Sequence, residues 1–103
     1  MASIKLKSTV RVPKTVILAC AVINSANKLD LPDMLVTSGN DSKHMIGSKH
    51  YIDQALDFRT KHLTKSQKHS LVAEVKSRLG SSYDVILEFE GGNNEHLHCE
   101  YEG

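Results

Sequence analysis

Hydrophobic positions recur along this chain with two different periods. Val16, Ile17, Ala19, Cys20, Ile23 and Ala26 follow a roughly helical spacing, which predicts a helix from about Pro13 to Lys28. Pro13 suits a first helical turn, where its missing N–H costs nothing, and Pro32 marks the turn beyond. The short apolar run Met34, Leu35 and Val36 reads as a buried strand. A polar loop then opens at Ser38-Gly39-Asn40-Asp41-Ser42 and continues through Gly47 and Ser48. Loops of this length in compact domains often carry function.

Gln54 to Thr60 alternates, with Ala55, Asp57 and Arg59 on one face and Leu56 and Phe58 on the other, as a strand does. Thr64 followed three residues later by Gln67 is a capping box. Leu71, Val72, Val75 and Leu79 form the apolar stripe of the helix it opens, and Gly80 stops that helix. Tyr83, Val85, Leu87 and Phe89 then alternate with Asp84, Ile86, Glu88 and Glu90. Gly91 to Asn94 signals a turn and His96 to Tyr101 alternates again, so the last two segments read as an antiparallel hairpin. The expected class is α+β, with helices packed on one side of a small, mainly antiparallel sheet.

Composition narrows the options. A chain of 103 residues fits one domain with a modest core, to which a bound metal can add stability. A formal net charge of +1 gives no reason to expect a nucleic-acid or membrane partner. Cys20 and Cys99 are too few for a disulfide scaffold and are expected as free thiols in the core. Met1 to Thr9 is polar and alternating, unlike a secretory signal, and the apolar stretch Val16 to Ile23 is too short to span a bilayer. The expectation is a cytosolic product that reaches other compartments only if another protein exports or releases it.

Six histidines are many for this length, and their placement matters more than their number. His50 and Asp57 straddle a loop-to-strand transition with six residues between them, and His98 lies on the last strand. Two imidazoles and a carboxylate suit zinc with one coordination position left open. Alternation puts His96, His98 and Glu100 on one face of the last strand and Leu97, Cys99 and Tyr101 on the other, which argues against Cys99 as a ligand beside His98. Glu95 sits at the mouth of the hairpin, where the turn can swing its carboxylate toward such a site. The plainer alternatives are a solvated strand face for His96 and His98, and for Asp57 a turn cap or an ion pair with Arg59 or Lys61. His44, His62 and His69 read as ordinary polar positions.

The segment Ser42 to Asp57, followed by Glu95-His96-Leu97-His98, resembles the zinc D-Ala-D-Ala carboxypeptidase and L-alanyl-D-glutamate endopeptidase family, which shares the Hedgehog/DD-peptidase fold. Ser48-Lys49-His50 matches the family's Ser-x-His, Ala55-Leu56-Asp57 the end of its Gly-x-Ala-x-Asp, and Glu95 to His98 its late acid-x-x-His or His-x-His. The motifs and the chain between them cover about half the sequence. Asp53 stands where the family has glycine, and the family's upstream arginine has no clear counterpart, with Lys43 and Arg59 the candidate replacements.

The resemblance implies that His50, Asp57 and His98 hold Zn2+, that Glu95 is the general base, and that the catalytic role of His96 is to stabilise the oxyanion or orient the site. Ser48 would bind substrate or support His50. The implied substrate is a peptide bond in the stem peptide of bacterial peptidoglycan. The implied setting is a monomeric bacteriophage or prophage enzyme, released to the cell wall at lysis or carried on the virion. Two alternatives stay open: a degenerate zinc-binding family member serving as a non-enzymatic phage module, and a metal-dependent hydrolase of a non-wall amide.

Overall fold

The computed structural model describes residues 13–38 and 54–103. In chain order these form α1 (Lys14–Lys28), β1 (Val36–Ser38), β2 (Ala55–Arg59), α2 (Lys65–Leu79), β3 (Tyr83–Glu88) and β4 (His96–Tyr101). The strands make one antiparallel sheet in the order β1-β2-β4-β3. The last strand therefore inserts between β2 and β3, which run parallel to each other on either side of it. The expected α+β class is observed, and among the described residues no helix is long and apolar enough to cross a membrane.

Both helices pack on one face of the sheet. Leu18 and Val22 of α1 and Leu71 and Val75 of α2 meet Leu56, Phe58, Val85, Leu97 and Cys99 in the core. The strand residues in this group are alternate positions, so the opposite face is left to the intervening ones, most of them polar.

The helix α2 follows the expected signals closely. The Thr64 hydroxyl accepts from the Gln67 N–H at 3.1 Å, and the Thr64 N–H donates to the Gln67 side chain at 2.9 Å. Gly80 ends the helix at φ +82°, a conformation that glycine adopts without strain. Thr64→Ala removes the hydroxyl acceptor for the Gln67 N–H while keeping the backbone half of this exchange, and is expected to lower stability by about 1 kcal/mol, read from urea unfolding.

Three expectations need correction. The buried face of α1 is Leu18, Ala21, Val22, Ser25 and Ala26, while Val16, Cys20 and Ile23 face outward. Ser25 disguises this stripe in the sequence: its buried hydroxyl is satisfied by donating to the Ala21 carbonyl at 2.7 Å. Cys20 is accordingly exposed rather than in the core, whereas Cys99 is buried as expected. The strand expected at Met34 to Val36 begins only at Val36, and Leu35 and Val36 are exposed. β1 is one of the two edge strands and pairs with β2 alone, through a register shift between Val36 and Ser38.

Candidate metal centre

The sheet face turned away from the helices carries three cross-strand rows. Arg59, His96 and Glu88 align in one; Asp57, His98 and Ile86 in the next; Ala55, Glu100 and Asp84 in the third. Directly opposed residues in antiparallel strands share a face with Cβ atoms about 5 Å apart, so the register alone brings these side chains together. Asp57 thereby meets His98, 41 positions away in sequence.

The His98 ring lies between two carboxylates, with Nδ1 2.7 Å from Asp57 Oδ1 and Nε2 2.6 Å from Glu100 Oε1. The His96 Nδ1–H donates to the Asn94 carbonyl at 2.7 Å, leaving Nε2 at 3.0 Å from Glu88 Oε1 and 3.8 Å from Asp57 Oδ1. Glu88 Oε1 is also 3.8 Å from His98 Nδ1. One ligand atom each from Asp57, Glu88, His96 and His98 falls within 4.8 Å of all the others, and all four residues are half-buried.

The outer contacts make this group fit a metal. Each ring gives one nitrogen to an outer acceptor, the Asn94 carbonyl for His96 and the Glu100 carboxylate for His98. The second nitrogen of each is aimed inward. Metal-bound histidines are ordinarily fixed in this manner, because the outer acceptor sets the tautomer and raises the basicity of the ligating nitrogen. Imidazole and carboxylate donors suit zinc and its divalent neighbours.

In the protein without metal the same geometry stabilises positive charge. The hydrogen bond to Asp57 lifts the pKa of His98 to about 9; burial opposes this rise and Glu100 adds to it. Cys99 points to the core, and burial pushes its thiol up to about 12, so it offers no thiolate ligand.

The structure brings together Asp57, His96 and His98 of the expected residues. Ser48 and His50 lie outside the described residues, as do Lys43 and His44. His62 and His69 are exposed, as expected. Glu95 has other partners than the base role implies. Strand parity carries position 95 to the core side with Leu97 and Cys99, and its carboxylate is nearly inaccessible. One of its oxygens accepts from Lys68 Nζ at 2.6 Å and the Gly91 N–H at 3.0 Å, and the other from the Thr60 hydroxyl at 2.6 Å. Burial alone would raise its pKa, but these bonds from Gly91, Lys68 and Thr60 outweigh it and take the group to about 2.

Glu88 is the member of the cluster that the sequence reading missed. Alternation gave its face, but only the turn length fixes its pairing with His96. No known protein family, curated protein or solved structure matches this chain.

Proposed function

We propose that this chain is a zinc-dependent peptidase of the Hedgehog/DD-peptidase type that hydrolyses a peptide bond in bacterial peptidoglycan stem peptides. The supporting observation is the contact between Asp57 and His98 across β2 and β4, at 2.7 Å on the open face of the sheet. The family resemblance requires these two residues to share one metal. In this reading Asp57 and His98 hold the zinc with His50, and Glu88 and His96 offer further donors beside them. A bound zinc ion supplies Lewis-acid polarisation of the scissile carbonyl. His96, fixed by the Asn94 carbonyl through Nδ1–H, presents Nε2 to the centre, where the neutral ring offers a lone pair and the imidazolium form can donate to a developing oxyanion. Glu95 can move a proton there only by leaving Thr60, Lys68 and Gly91; in the described arrangement it anchors the turn that precedes β4. The setting that goes with this reading is a phage or prophage protein reaching the wall at lysis or on the virion.

The engagement of Glu95 favours a second reading, in which the chain binds zinc as a non-enzymatic module. The two separate on zinc content and on release of amino groups from purified peptidoglycan. The peptidase reading expects one zinc per chain, release by the wild type, loss of release with a chelator and recovery on adding zinc. One zinc without release supports the module, and absence of zinc from the wild type rules out both.

A further inference from the structure

Beside the metal centre, the open face of the sheet continues into a cleft of about 490 Å³ whose lining includes Asp57, Arg59, Lys61, Asn93, Glu95 and His96. Its charges are not balanced within the described residues. The Lys61 ammonium is held at the cleft by the Asn93 carbonyl, to which it donates at 3.1 Å. The Arg59 guanidinium, in the same cross-strand row as His96, makes no hydrogen bond or ion pair among the described residues. The two acidic residues of the lining have their carboxylates committed elsewhere. Asp57 bonds His98, and both oxygens of Glu95 are taken by Thr60, Lys68 and Gly91. Two cations thus face a cleft whose own anions do not answer them.

We infer that Arg59, with Lys61 beside it, forms an anion subsite that takes a carboxylate of the molecule bound at the metal centre. The guanidinium matches a carboxylate by two parallel N–H···O bonds, whereas a lysine acts there as a point charge. Arg59 lies two residues from Asp57 on the same face of β2, so a peptide whose carbonyl lies at Asp57 and His98 can reach it with a carboxylate close in sequence to the bond addressed. This makes Arg59 a specificity residue. The role rests on the proposed reading for its connection to cleavage, but the binding itself does not require turnover.

Binding of three small peptides to the purified protein tests this by nuclear magnetic resonance titration, with zinc and after its removal. The probes are N-acetyl-alanyl-alanine, its C-terminal amide, and N-acetyl-alanyl-glutamic acid α-amide, whose one carboxylate is on the side chain. Wild-type protein should bind at least one of the carboxylates about tenfold or more tightly than the neutral amide, as charged hydrogen bonds imply. The preferred carboxylate identifies its source as chain terminus or side chain. Arg59→Gln should remove most of that preference while leaving the affinity for the amide unchanged, and Arg59→Lys should restore part of it. The zinc-binding stoichiometry of Arg59→Gln should match the wild type, which separates this role from a failure to fold. A preference retained in Arg59→Gln, one seen only with zinc bound and indifferent to Arg59, or no binding of any probe would each overturn the subsite. Arg59-dependent binding without peptidoglycan hydrolysis would sink the peptidase reading and leave the subsite standing; hydrolysis with equal binding of all three probes would do the reverse.

Discussion

Glu95→Ala is expected to destabilise the fold by on the order of 3–5 kcal/mol, the usual consequence of removing one partner from a buried ion pair. The substitution leaves the Lys68 ammonium beside an empty site and strips the acceptor from the buried Thr60 hydroxyl and from the Gly91 N–H. Against a total stability of about 5–15 kcal/mol for an ordinary domain, such a loss is large. Urea unfolding of Glu95→Ala, Lys68→Met and the double variant measures it. The double variant should be less damaged than the sum of the singles, because removing both charges leaves neither stranded. Losses below about 1 kcal/mol for both singles would mean that the network is solvated and weak. The same group sets an acid limit. Its carboxyl titrates near 2 when folded against an ordinary 4.5, so its contribution is complete above the ordinary value. It then declines as pH falls from about 5 toward 2.

The second large effect concerns the metal. On the proposed reading, Asp57→Ala and His98→Ala should each weaken zinc binding by more than about a hundredfold at neutral pH, since each would delete an inner donor. Glu100→Gln leaves the donor set intact but removes the carboxylate that accepts from His98 Nε2–H, and about a 10–100-fold loss is expected for such an outer partner. Competition with a chromogenic chelator reads all three. Wild-type affinity in either alanine variant would remove Asp57 and His98 from the centre. In protein stripped of metal, His98 is lifted to about 9 when folded, against 6.5 ordinarily. Its ion pairs therefore stabilise the fold fully below about pH 6.5, and that contribution is lost as pH rises through 9. Zinc uptake must displace this proton, so affinity should rise over the same interval in which the metal-free protein becomes less stable.

Much of this arrangement is legible from local pattern. Thr64 and Gln67 announce α2, Gly80 closes it, and the alternation from His96 to Tyr101 separates His96, His98 and Glu100 from Leu97 and Cys99. What local pattern does not carry is partnership between distant segments. The face of α1 that is buried, Leu18, Ala21, Val22, Ser25 and Ala26, is chosen by packing on the sheet and on α2, and the bond from Ser25 to the Ala21 carbonyl only satisfies the one hydroxyl enclosed there. The course of Glu95 depends on Lys68 lying beneath the turn, a relation created only when α2 packs on the sheet. Glu88 joins the centre through the register of β3 on β4, and Asp57 through that of β2 on β4. Neither register can be counted from one segment alone.

The central place of β4 bears on how the protein is made. β2 and β3 both precede β4, and neither pairs with the other. On a ribosome adding about 5–20 residues per second, α2 can form as it emerges, but β2 and β3 wait for their common neighbour. Until position 98 has left the exit tunnel, Asp57 has no histidine opposite it and the backbone edges by which β2 and β3 pair with β4 stay open. Nascent chains stopped before β4 should therefore take up no zinc at this centre and should recruit chaperones, whereas chains extended past it should acquire both the metal and resistance to protease together.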